Sequence, residues 1–509
     1  MTDFKCSASH SDPRPPCVGR SWRRWIVRVL FLIVVWWLCA ILLTQFIPPP
    51  SSVGFTGPER SSLSPQFLYD DSWLDDAGTR HVEQSIFDGL FASIDAARRF
   101  IYLDLFLFND WQGPVPELTR ALSAELTDHL VRASQREHPP RIVLVTDPIN
   151  TVYGGARSHH LDALREAGVE VVMTDLVELQ DSNVIWSSLW RWFVRPFGNT
   201  SEADTLANPM TDGRVSLRSW LALLNFKANH RKLAIFDNPE FGRLEAMVMS
   251  ANPHDGSSAH RNLALQVHGV VVHDLLLAER QVPGLANNAN ALVMIDEMIN
   301  FARKVTELTS STSEHTPRIA VINESAIRRS VLDALGELDS GDAVNLEMFY
   351  LAERRIVTAL TDAAERGVSV RVLLDINSDA FGRAKNGVPN RPVAAELVQH
   401  GVEVRWCATD GEQCHAKWFH ARNGDMHTVV TGSGNFTRRN LADFNLESNL
   451  VFRAPSDDPT LLAMLDRFER HWYNVPGRTY SSDYEDHADS SLWLRVQYRL
   501  MEATGLGTF

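Results

Sequence analysis

The chain says the same thing twice, and that duplication restricts its architecture more than any other feature. His230-Arg231-Lys232 is followed by Asp237 and then by Ser250-Ala251-Asn252, while His415-Ala416-Lys417 is followed by Gly432-Ser433-Gly434-Asn435. Residues two apart on a strand share a face, so the His and Lys of each block project together. The flanking segments repeat in the same order: 100–108 matches 343–351, 141–147 matches 370–375, and 167–171 matches 400–404. A repeat of roughly 200 residues is too long for a solenoid unit and fits two fused domains.

Around the repeat, helical and strand-like patterns alternate. Ile86, Leu90, Ile94 and Ala97 recur at helical spacing before an apolar strand over 101–108. Helix, strand, helix and strand then follow over 118–133, 142–145, 160–167 and 169–173. The second half reads strand 319–322, helix 327–338, strand 344–350, helix 356–365, strand 368–374, helix 394–399, strand 402–406 and a closing helix over 461–472. Residues 492–500 alternate as an edge strand does. The expected fold is α/β, with two similar domains, each a mainly parallel sheet flanked by helices.

The symmetry breaks over 174–226, where the first half carries an insertion rich in Trp, Phe and Leu. Two readings stand for it: a lid over the first sheet, or a segment that rests in the membrane interface or lines an acyl-chain entrance. The N-terminus motivates the second. Arg20, Arg23, Arg24 and Arg28 flank the start of an apolar run over 25–47 that ends at Pro48-Pro49-Pro50. About 23 such residues cross a bilayer as one helix. Basic residues before the run, and little charge after it, predict a cytoplasmic tail with the remainder on the outer face of an inner or plasma membrane. A cleaved signal peptide is the rival, weakened by the length of the run and the lack of an Ala-x-Ala site.

The expected organisation is a tail over 1–24, a membrane helix over 25–47, a tether or surface wrap over 48–80, a first domain over 81–308, a linker over 309–317, a second domain over 318–475 and an extension over 476–509. Forty-nine Lys and Arg against 63 Asp and Glu leave a charge of -14. That balance, without a basic groove, argues against nucleic acid as the partner. Five cysteines form no zinc spacing. Cys407 and Cys414 either pair in an oxidising compartment or stay as two thiols.

The duplicated His-x-Lys with its Asp, followed by Gly-Ser-x-Asn, resembles the signature of the phospholipase D superfamily over residues 80 to 475, and the bacterial cardiolipin synthases most of all. The resemblance implies two similar domains with one active site at their pseudo-twofold interface, and no cofactor or metal. It assigns catalysis to His230, Lys232, Asn252, His415, Lys417 and Asn435. The chemistry agrees: an anionic phosphodiester attacked at phosphorus needs cationic and amide donors on its oxygens, one neutral His as nucleophile and one protonated His as acid.

Ser250 and Ser433 are expected to support the turns. Each histidine also needs an orienter, and the candidates are Glu447 and Asn262, placed equally far after His415 and His230 in their own halves. Because Asn bears no charge, the sequence leaves open which histidine attacks. Asp237 has no counterpart in the second half, where Arg422 stands and Asp425 is the nearest substitute; Met249 replaces the Gly of the first Gly-Ser-x-Asn. The resemblance and the membrane helix together imply a phospholipid substrate at the bilayer and no protein partner. The expected activity is phosphatidyl transfer making cardiolipin. Hydrolysis to phosphatidic acid, a non-catalytic scaffold and a nuclease are the alternatives.

Overall fold

The computed structural model describes residues 18–50, 53–62, 64–112, 120–238, 243–307, 317–380, 383–507 and 509. Residues 1–17 of the expected tail, and all of the expected linker except Pro317, lie outside that set. Two large sheets form the frame. The first runs, edge to edge, Arg80–Glu83, Gln66–Leu74, Asn262–His268, Arg243–Met249, Lys232–Asn238, Phe100–Leu105, Arg141–Thr146 and Glu170–Met173. The second runs Arg60–Ser61, Arg318–Asn323, Ser448–Pro455, Met426–Gly432, Lys417–Asn423, Ala343–Met348, Ser369–Leu374, Glu403–Cys407 and Ser481–Asp483. The stretch read as tether or wrap thus places the strand Gln66–Leu74 against Asn262–His268 in the first sheet.

The expectation of mainly parallel sheets is corrected by the strand pairing. Only the three strands joined through helices are parallel in each half: Phe100–Leu105 with Arg141–Thr146 and Glu170–Met173, and Ala343–Met348 with Ser369–Leu374 and Glu403–Cys407. The strand that carries each His-x-Lys lies antiparallel to the first of these and folds back directly on the next strand. A direct reversal can only be antiparallel, whereas a parallel return needs a crossover of a dozen residues or more. Helix–strand alternation therefore describes one side of each sheet only.

An apolar core fills the space between the sheets, with Leu263, Leu265 and Val267 from one and Val429, Leu450 and Phe452 from the other. Two buried arginines cross the same boundary. Arg231 pairs with Glu279 at 2.9 Å and with Glu324 at 2.7 Å, and Arg467 pairs with Asp71 and Glu347, each at 2.6 Å. Removing the cation from such a network strands two buried carboxylates. Arg467→Ala is therefore expected to cost about 3–5 kcal/mol, read as a lowered urea midpoint of the full chain in detergent.

The N-terminal helix Val18–Gln45 includes a 24-residue span, Trp22–Gln45, of mean hydropathy 2.8, long and apolar enough to cross a membrane. The insertion rests on it. Trp36 meets Trp192 and Phe193 edge-on at 5.9 and 4.6 Å, and the Trp37 indole donates to the Ile185 carbonyl at 3.3 Å. Residues 492–500 are not the expected strand but the start of a helix, Leu492–Thr504. Ser491 caps it, and Leu494, Tyr498 and Met501 turn inward at helical spacing, an arrangement that two-residue alternation masks.

Candidate active site

His230 and His415 each stand two residues before the first residue of their motif strand, at the seam between the sheets. There the backbone crosses over reciprocally: the His230 N–H donates to the Leu446 carbonyl, and the His415 N–H donates to the Arg261 carbonyl, both at 2.9 Å. The residue after each carbonyl faces the histidine so bound. Glu447 therefore accepts from His230 Nδ1, its oxygens at 2.9 and 3.0 Å, and Asn262 Oδ1 accepts from His415 Nδ1 at 3.0 Å. The pairing within each half expected from spacing is replaced by pairing across halves. It puts the charged orienter on His230.

The surrounding bonds hold both orienters in place. Ser433 Oγ and the Asn440 amide donate to Glu447, while Ser250 Oγ donates to Asn262 Oδ1 at 2.9 Å and the Asn262 amide donates to the His260 carbonyl at 3.0 Å. With Nδ1–H committed, each ring offers its Nε2 lone pair. Asp147 and Asp375, which end the repeated strands, accept from the N–H of Asn229 and Cys414, the residues just before the histidines, at 2.7 and 2.8 Å. Both carboxyls belong to the repeated segments, where nothing local marks them as supports of the histidines.

Lys232 and Lys417 are buried, their Nζ atoms bonded to the carbonyls of His230 and His415 at 2.8 and 2.6 Å and set 5.1 Å from the ring centres of Phe106 and Phe349. Phe106 and Phe349 in turn pack on His230 and His415. Asn252 and Asn435 line the same cavity as the two histidines. Asn252 Oδ1 accepts from the Leu107 N–H at 3.3 Å, while Asn435 Oδ1 has no protein partner among the described residues.

Asp237 lies at the other end of its strand, accepting from the backbone N–H of Arg98, Arg99 and Phe100. It fixes the start of a sheet strand and does not reach the histidines. Its counterpart Arg422 binds the Gly341 carbonyl at the matching sheet end, so that position varies at no cost to the centre. Gly432 has φ of +153°, and a Cβ there would collide with the Ser448 carbonyl. Met249 continues a regular strand paired with Ala264, which explains the side chain tolerated in the first half.

The cavity has a volume of about 1040 Å³. Its far wall is built by the insertion, through Pro209, Met210, Trp220, Leu223 and Phe226. Burial lowers the proton affinity of His230 to a pKa of about 4 despite the opposing pull of Glu447, and lowers His415 well below its usual range, aided by Lys417. Burial also brings Lys232 down to about 7. Burial works to raise Glu447, but His230 and Lys232 outweigh it and keep the carboxylate ionised. The resting pair is thus a neutral imidazole donating to a carboxylate. Because the neutral form is favoured, His230 is expected to gain its proton only as pH falls through about 4, not 6.5, measured by NMR of histidine-labelled protein with His230→Gln to assign the signal.

Two groups have metal-ligand proximity among the described residues: Asp110 with His159 and His160, and Glu347 with Cys407 and Cys414. The two cysteines of the second group form a disulfide, leaving no thiolate there. Neither group includes a residue of the His-x-Lys blocks.

The family model described as "Cardiolipin synthase, PLD-like domain" matches residues 336–472. The solved structure of phosphatidylserine synthase from Haemophilus influenzae Rd KW20 aligns with a TM-score of 0.52 at 10% identity, covering 88% of this chain and 97% of that one. Nuc from Salmonella typhimurium, a phospholipase D family member, aligns at 22% identity over 33% of this chain and 98% of its own, with a TM-score of 0.26. No curated protein sequence matches significantly. A duplicated fold that brings two His-x-Lys blocks to one cavity defines an enzyme acting on phosphodiester bonds. Residues 336–472, in the second half, thus match the cardiolipin synthase, PLD-like domain, and the chain as a whole shares its fold with the Haemophilus protein.

Proposed function

We propose that the protein is a membrane-tethered phosphatidyltransferase that makes cardiolipin from two molecules of phosphatidylglycerol through a phosphohistidine on His230. The observation that carries this reading is the cavity: it joins both histidines to an apolar wall supplied by the insertion, whose helix Val184–Phe193 packs on the apolar N-terminal helix. A headgroup phosphate at the histidines with acyl chains along that wall fits a lipid better than a polar diester. The basic residues before the span and the Cys407–Cys414 disulfide support placement of the two sheets on the outer face. The family model's description and the name of the Haemophilus protein agree with a lipid-synthesising role.

In the proposed mechanism, His230 Nε2 attacks phosphorus while Glu447 supports the charge that develops on the ring. His415, neutral at rest, takes up a proton on Nε2 as the anionic phosphodiester docks beside it, and gives that proton to the departing glycerol oxygen. Lys232, Lys417, Asn252 and Asn435 steady the non-bridging oxygens. Neutral His415 then takes the proton of an acceptor hydroxyl, which attacks phosphorus and releases His230.

The test is mass spectrometry of lipids after incubating full-length protein with phosphatidylglycerol vesicles. Cardiolipin and free glycerol, lost in His230→Ala and His415→Ala, support transfer. Phosphatidic acid alone, dependent on both histidines, makes the enzyme a hydrolase. No histidine-dependent product overturns the lipid reading.

A further inference from the structure

The two walls of the cavity differ in charge although the chain is duplicated. In the second half, Tyr350 occupies the repeat position that Leu107 holds in the first, and its hydroxyl accepts from Lys385 Nζ at 2.8 Å. Both line the cavity. Lys385 is half-buried and, among the described residues, makes no ion pair, which leaves its remaining N–H donors for a ligand. The Tyr350 hydroxyl, accepting from the lysine, keeps its own proton to donate.

A second cation stands on the same side. Arg439 is buried, and it donates to the carbonyls of Gly505 and Gly507 at 2.8 and 2.6 Å and to Ser182 Oγ, with no carboxylate within ion-pair distance among the described residues. These bonds seat the C-terminal residues so that Phe509 lies 6.1 Å from Tyr350 in the cavity wall. Lys227 also lines the cavity, but Asp181 at 2.6 Å neutralises it. The first half therefore offers the insertion's apolar residues together with the carboxylates of Asp110 and Asp212, and the second half offers two cations that, among the described residues, form no ion pair, Asp375 and Glu502 acting on them only at longer range. Buried or half-buried cations with no carboxylate in direct contact favour an anion beside them.

We propose that Lys385 and Tyr350, with the fixed charge of Arg439 behind them, bind a second phosphodiester: that of the acceptor phospholipid. This rests on the phosphatidyltransferase reading, because only transfer to an anionic lipid brings a second phosphate to the cavity. The acceptor's phosphate docks at Lys385 while its free glycerol hydroxyl reaches the phosphohistidine. The hydroxyl oxygen bonds to phosphorus, the phosphorus–nitrogen bond to His230 breaks, and the hydroxyl proton passes to His415 Nε2. Water and small neutral alcohols need no such site, so the pair determines which acceptor wins.

Cardiolipin and phosphatidic acid arise from the same phosphohistidine, so their ratio reports acceptor binding independently of donor binding. In phosphatidylglycerol vesicles, Lys385→Met is expected to lower the cardiolipin to phosphatidic acid ratio about tenfold. Transfer to added ethanol should stay within about twofold of wild type, since that alcohol carries no charge to recognise. Lys385→Arg should restore most of the ratio, and Tyr350→Phe should lower it by a smaller factor. An unchanged ratio in Lys385→Met, or equal losses of cardiolipin, phosphatidic acid and the ethanol product, overturns the site while leaving the transferase reading intact. Wild-type protein that yields phosphatidic acid but no cardiolipin overturns both.

Discussion

Alanine at His230 is expected to lower phosphodiester turnover by on the order of 10⁴-fold or more, with an equal loss for His415→Ala on natural lipid. The two variants should part on a substrate with a good leaving group. A nitrophenyl phosphodiester departs without help from an acid, so His415→Ala should still form the phosphohistidine and then stall, because no base activates the acceptor. His230→Ala should form none. Acid-labile phosphate carried by the histidine of His415→Ala, detected by intact mass and located by peptide mapping, would identify His230 as the nucleophile. Label on the other histidine in His230→Ala would reverse the assignment. The expectation follows from the charged orienter, since only His230 has a carboxylate against its outer nitrogen.

Glu447→Gln carries the second large effect, a loss of roughly 10²- to 10⁴-fold. The substitution preserves shape but removes the charge and offers an amide N–H to His230 Nδ1. The ring then favours the tautomer with its proton on Nε2, where the lone pair is needed. Because the fault lies in the nucleophile, a good leaving group should not rescue it, in contrast to His415→Ala. Rescue by the nitrophenyl substrate would instead mean that Glu447 serves the acid. Asn262→Asp provides the counterpart. It adds charge beside His415, raises that ring's proton affinity, and should change the rate by less than about tenfold.

These predictions depend on contacts that reading along the chain assigned the other way. His230 and Glu447 are 217 residues apart, and His415 and Asn262 are 153 apart. Equal spacing after each histidine suggested partners within each half, yet the reciprocal bridges from His230 to Leu446 and from His415 to Arg261 exchange them. Nothing local marks that exchange, since either pairing leaves the same pattern of apolar and polar residues. The parallel sheet expectation failed for a related reason. Apolar runs reveal strands, but strand direction depends on which neighbour is met and by what connection.

By itself the sequence determined the duplication, the two His-x-Lys blocks with their Ser and Asn residues, the apolar helix at the N-terminus and most helices and strands of both halves. These are properties of local spacing and side-chain chemistry, and they survive without knowledge of any distant contact. Only the tertiary structure decided which half orients which histidine, that Asp237 braces a strand end instead of the centre, and that the insertion joins the N-terminal helix to the cavity wall. Each of those depends on residues far apart in the chain meeting in one buried place, where desolvation and hydrogen-bond geometry select the partner.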